Sequence, residues 1–195
     1  PYGRLRYKGE AHPTIKSLAG DAPHVLYASS FSKILAPGVR VAWSVAAPEL
    51  IRAMVLLRQG EDLCTPVVTQ ALVAEYCRRG HLESHLTRII DHYRGKRDAM
   101  QQQLLAHLPE GAAQWHEPEG GFFFWLHLPG RDSEALFHQV LEQNVAFLPG
   151  GAFFPGVEEQ VGAVHEGAEY ARLCFTFADP DQIAEGCARL GKALE

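Results

Sequence analysis

Lys33 is the residue around which chemistry is most readily built. It lies in the stretch SSFSKILAPGVR, residues 29–40, with the hydroxyls of Ser30 and Ser32 just before it and the guanidinium of Arg40 seven residues after it. A lysine amine becomes a useful nucleophile towards an aldehyde when burial and nearby positive charge lower its pKa. Apolar runs on both sides of this loop offer the burial, and Arg40 the charge. Serine hydroxyls donate to the oxygens of an anion, and an arginine adds a charge-assisted, bidentate contact to the same group. Gly38 lets the backbone turn close to a ligand. Together these residues describe a place for an amine beside an anion; a loop lysine without such neighbours would be an exposed charge.

Arg172, in ARLCFTF, is the second candidate. An arginine inside an apolar strand-like run has either a partner or a function, because an unpaired buried guanidinium is costly. The ten histidines invite a metal reading, and His81 and His85 share a helix face, but HLESH is not HExxH and no third ligand is evident, so no metal is expected.

The elements that would position these residues follow from periodicity. Residues 25–28 read as a short buried strand of the parallel-sheet kind, and residues 40–46 as another, with a polar, Gly/Pro loop between them. Pro48 opens a helix with Leu50, Met54 and Leu57 at helical spacing, and Pro66 opens a second with Val68, Leu72 and Tyr76. A longer helix runs nearly from Gly80 to Pro109, long enough to bridge two parts of a molecule. Beyond it the pattern becomes α+β: strands over 121–128, 145–148 and 171–177, a helix over 133–143, and a last helix capped by Asp179 with Pro180 in its first position. A boundary is expected near residues 60–80.

Composition narrows the function classes. Of the 195 residues, 47% are hydrophobic and 21% charged, which allows a sizeable globular core. With 18 Lys+Arg against 23 Asp+Glu the net charge is -5, and no basic cluster offers a nucleic-acid footprint. No apolar run is long enough to span a bilayer, and the first residues have no targeting character, so a cytoplasmic location is expected. The four cysteines show no CxxC spacing and read as free thiols.

The segment SSFSK followed by PGVRVAW is similar to the cofactor-lysine signature of the class I/II aminotransferases, S-x-S-K with G-x-R downstream. The resemblance covers nearly the whole chain. Tyr2 resembles the end of the family's D-x-x-Y segment, PEGG at 118–121 its P-x-G-G motif, PGGAF at 149–153 its P-G-x-x-F turn, and Arg172 the arginine of its R-L-x-F segment. It implies fold type I, an α/β chain with part of the pyridoxal-phosphate (PLP) transferase large domain in residues 1–70 and an α+β small domain in residues 71–195. It also implies that Lys33 holds PLP as a Schiff base and shuttles the substrate α-proton. Tyr2 would touch the cofactor 3'-oxygen, Ser30, Ser32 and Arg40 would bind its phosphate, and Arg172 would bind the substrate α-carboxylate. The aspartate that would protonate the cofactor ring falls three residues before Tyr2, ahead of the first residue, as do the glycine-rich phosphate loop and the stacking aromatic. The chain is therefore expected to be the C-terminal half of a homodimeric aminotransferase that passes an amino group from an amino acid to a 2-oxo acid. Its motif style resembles enzymes acting on aromatic, branched-chain or 2-aminoadipate substrates. The alternative is the PLP-binding sensor domain of a GntR-type transcription regulator.

Overall fold

The computed structural model describes residues 1–154 and 167–195. They form an α/β chain in two compact units, Pro1–Asp91 and His92–Glu195, and the division falls within one long helix.

In the first unit a short helix α1 (Ile15–Ala19), capped by the Thr14 hydroxyl, precedes strand β1 (Tyr27–Ser30). Strand β2 (Ala42–Val45) pairs with β1 antiparallel, Tyr27 opposite Val45 and Ser30 opposite Ala42. The parallel reading of this apolar run is thus corrected, and the strand begins two residues later than expected. The cause lies in the loop: residues 31–41 fold straight back, and the Phe31 N–H donates to the Val41 carbonyl at 3.0 Å, prolonging an antiparallel ladder. Helix α2 (Pro48–Glu61) starts with Pro48 at its first position, as expected. Helix α3 (Val67–Arg78) starts one residue after Pro66, which serves as its cap. The expected stripe of α2 is not buried: Leu50 and Leu57 are exposed, as are Val68 and Leu72 on α3. Buried apolar side chains in this unit are Leu5, Tyr7, Ile34, Val73, Leu82 and Leu86. Helix α4 (His81–His107) continues into the second unit.

The second unit is a three-stranded antiparallel sheet, in the order β3 (Phe123–His127), β5 (Tyr170–Cys174), β4 (Leu148–Pro149). Phe124, Leu126, Ala171 and Leu173 alternate onto one buried face, and Leu173 shares a small cavity with Ile183, Cys187 and Leu190 of helix α6 (Pro180–Ala193). Strand β4 begins at Leu148 rather than at 145. Helix α5 (Ser133–Leu141) closes in a Schellman arrangement that uses up the preceding residues. The Val145 N–H donates to the Val140 carbonyl and the Asn144 N–H to the Leu141 carbonyl, both at 3.0 Å, with Asn144 at φ 58°. Phe147 is then spent on the core against Phe137. Helix α6 is capped as expected: Asp179 accepts from the Gln182 N–H at 2.8 Å, and Gln182 returns a bond from the Asp179 N–H at 3.0 Å.

Candidate functional site

The lysine loop grows out of the end of β1. Leu35 and Ala36 both donate their N–H to the Phe31 carbonyl, at 2.8 and 3.2 Å, which winds residues 31–36 into one tight turn. Ile34, 4% exposed, pins that turn into the core, and Phe31 packs against Trp43 of β2 with ring centroids 5.0 Å apart. Ser30 Oγ accepts from the Ser32 N–H at 3.4 Å, so its hydroxyl hydrogen remains available to another acceptor. Lys33 is half-buried on this turn, with Nζ 5.9 Å from the centroid of the Tyr2 ring. Among the described residues no carboxylate pairs with it.

Arg40 closes the 3-10 turn Pro37–Val39 in a left-handed conformation, φ 51° and ψ 35°. The turn expected at Gly38 is therefore made at Arg40, where a non-glycine residue in this region costs on the order of 1–3 kcal/mol and such strain clusters at ligand sites. Arg40 Nη1 donates to its own Pro37 carbonyl at 3.1 Å, and the guanidinium is exposed, with most of its donors left over. The structure thus gathers Tyr2 with Lys33 and Ser30 with Ser32, and carries Arg40 on the turn that leads back into β2.

In the second unit Arg172 stands at the centre of β5, opposite Trp125 of β3 and Leu148 of β4. It points to the face of the sheet away from Leu173 and Ala171, together with Phe123, Trp125 and Tyr170. Its Cζ lies over two rings, 4.1 Å from the centroid of Phe123 and 4.5 Å from that of Phe153. Among the described residues Arg172 makes no ion pair and no side-chain hydrogen bond. Arg97 of α4 shows what a structural arginine looks like in the same unit. Its buried guanidinium meets Glu117 and Asp98, each at 2.6 Å, and donates to the Pro118 carbonyl at 2.7 Å. The two flanking phenylalanines were not among the residues singled out from the sequence. For Phe123 the signal was the period-two alternation in FFFW, which puts Phe123 and Trp125 on one face and Phe124 on the other; Phe153 lies in the PGGAF turn, whose spacing carries no sign of a contact with Arg172.

The pair His81 and His85 packs on Tyr76, with ring centroids 5.4 and 6.5 Å away. Among the described residues no group of three or more His, Cys, Asp or Glu side chains could hold a metal ion. Among the described residues, no helix is long and apolar enough to cross a membrane.

Set beside known proteins, the chain as a whole has clear relatives. The family model for aminotransferase class I and II matches residues 2–190, and the chain belongs to that family, with the fold type I architecture. It is 38% identical over 196 residues to aromatic-amino-acid aminotransferase 1 of Thermococcus litoralis, covering 100% of this chain and 45% of that protein. It is 43% identical over 196 residues to 2-aminoadipate transaminase of Thermus thermophilus, covering 98% of this chain and 47% of that protein. Among solved structures, the multiple substrate aminotransferase of Thermococcus profundus superposes with a TM-score of 0.89 at 39% identity, covering 100% of this chain and 46% of that one. The chain spans about half the length of the curated relatives it matches.

Proposed function

We propose that this chain is the C-terminal part of a PLP-dependent amino-acid aminotransferase, in which it supplies the cofactor lysine and the substrate-carboxylate arginine. The observation that carries the reading is the turn after β1, where Lys33 is half-buried without a carboxylate partner among the described residues and is flanked by Ser30, Ser32 and Arg40. This donor set suits the cofactor: one amine, two hydroxyls and a guanidinium with spare donors match an aldehyde and a phosphate dianion. When bound, PLP supplies an aldehyde that takes up amino groups and a conjugated ring that draws electron density from the substrate.

In this reading Lys33 would hold the cofactor through its Nζ amine and would move the proton at the substrate α-carbon. Ser30, Ser32 and Arg40 would hold the phosphate, and Tyr2 would stand beside the cofactor ring. Arg172 holds the α-carboxylate through two parallel hydrogen bonds. Residues 1–70 then belong to the large domain and residues 71–195 to the small one. The whole protein would be a cytoplasmic homodimer passing an amino group from an amino acid to a 2-oxo acid, with no membrane partner and no nucleic-acid partner for this segment. Aromatic or 2-aminoadipate-like donors are the first to try, given what the similar proteins are named for.

The test is borohydride reduction of the whole protein with PLP, followed by peptide mapping. The cofactor label is expected on Lys33. Label on Lys8, Lys16, Lys96 or Lys192 instead sinks the assignment.

A further inference from the structure

We infer that Phe123 and Phe153 are positioning residues for Arg172: their two ring faces hold its guanidinium in place and leave its N–H edge to a substrate carboxylate. The inference rests on the reading of Arg172 as the carboxylate site and adds what keeps that side chain ready.

A guanidinium is a flat cation whose five N–H donors all lie in its plane. An aromatic face attracts it through the ring quadrupole and covers its flat side without using a donor. Arg172 Cζ sits over both rings, at 4.1 and 4.5 Å, within the range where this attraction counts. A carboxylate in the same role would fix the guanidinium too, as Glu117 does for Arg97, but would occupy the donors and neutralise the charge that a substrate needs. Two rings are thus a way to order a long, rotamer-rich side chain while its hydrogen-bonding edge stays unspent.

Both rings are fixed to β5 by the backbone. Phe123 is held by the strand register, directly opposite Cys174. Phe153 ends the 3-10 turn Gly150–Phe153, and that turn is pressed against β5 so closely that a Cβ on Gly150 would lie 2.5 Å from the Tyr170 Cβ and 2.5 Å from the Gly167 carbonyl oxygen. The PGGAF turn and the FFFW strand therefore act on one arginine, although the 23 residues 126–148 lie between them in the chain.

The experiment uses the whole protein with two unreactive carboxylates, 3-phenylpropionate and hexanoate, whose binding is followed by calorimetry. Phe123→Leu and Phe153→Leu keep apolar volume and remove the ring faces; each is expected to weaken both carboxylates by about three- to tenfold. Phe→Tyr at either position keeps a ring face and should keep the affinity. In an Arg172→Ala background the Leu changes should add nothing, because the rings act through the guanidinium. Loss of 3-phenylpropionate alone would mean that the rings touch the ligand tail, and it overturns the inference, as does parental binding of both carboxylates. If Arg172→Ala itself binds both like the parent, the carboxylate-site reading falls and the inference with it, a result distinct from the other two. Phe153 is 42% exposed, so Phe153→Leu carries the test alone should Phe123→Leu fail to fold.

Discussion

At the scale of single residues, the contrast between Arg97 and Arg172 decides how each should respond to change. Arg97 is buried among two carboxylates and a carbonyl, and removing it takes a buried cation away from Glu117 and Asp98. Arg172 has ring faces and, among the described residues, no anion. In the whole protein Arg172→Lys is expected to weaken amino-acid and oxo-acid use together, by about 1.5–3 kcal/mol, because a lysine lacks the two-pronged geometry. The check is steady-state kinetics with both substrates. If the change lowers the melting temperature and cofactor occupancy but leaves both KM values alone, Arg172 is structural. Cys187 makes a second residue-scale test. Burial on the inner face of α6 pushes its thiol up to about 11, from an ordinary value of 9.0. Between these values the folded chain holds a proton that the unfolded chain has released, so stability is fully present below pH 9 and is lost as pH climbs towards 11, by on the order of 2–3 kcal/mol. Alkylation at pH 8 should therefore reach the exposed Cys64 and Cys174 well before Cys187, which mass spectrometry reads directly. Early labelling of Cys187 would show that α6 opens locally.

At the scale of elements, local chemistry explains the places where the sequence was easiest to read. The whole of α6 is closed by short-range bonds, so Asp179, Pro180 and the stripe Ile183, Cys187 and Leu190 sit where their types and spacing place them. Asp179→Ala should cost about 1 kcal/mol through loss of the capping box, seen as a lower melting temperature. Less was legible where an element depends on distant chain. The run at 25–28 looked like a parallel strand because a short apolar run carries no sign of direction; the return of residues 31–41 sets the antiparallel pairing. The stripe on α2 was real as a pattern, yet periodicity tells which side of a helix is apolar and not what covers it. The lysine turn could be read from SSFSK, but the ring pair on Arg172 needs β3 and the 150–153 turn to meet at β5, and no local spacing announces that. The same meeting explains Gly150, which looked like simple turn chemistry. Gly150→Ala forces backbone and Tyr170 apart, and is expected to destabilise the second unit by about 1–3 kcal/mol and to loosen Phe153 from Arg172. Unchanged melting and unchanged carboxylate affinity in that variant would show that the turn yields without consequence.

At the scale of the molecule, the two candidate sites lie in separate units, Lys33 with its anion donors in the first and Arg172 in the second. In the proposed reading each unit brings only part of what a PLP enzyme needs. In the first, Lys33 is half-exposed, Arg40 is exposed, and Leu56, Leu57, Val67, Val68 and Leu72 leave an apolar surface on α2 and α3 facing solvent. A phosphate held by exposed groups gains little, because water and salt screen the charges and long side chains must be ordered to meet it. Relatives about twice as long have further chain with which to complete such a site. The 195 residues alone are therefore expected to bind PLP at least roughly a hundredfold more weakly than the whole protein, equivalent to losing about two charge-assisted hydrogen bonds. Turnover should be slight. The measurement is a titration with PLP, followed by its visible absorbance, on the 195-residue chain and on the whole protein side by side, with an amino-acid and oxo-acid pair added at the end. Folding of the shorter chain is checked in parallel by the cooperative melting of its α-helical signal, so that weak binding by a folded chain is told from binding lost through unfolding. Equal affinity, or robust amino transfer by the 195 residues, would mean that the turn after β1 holds the cofactor unaided and that the proposed division of labour is wrong.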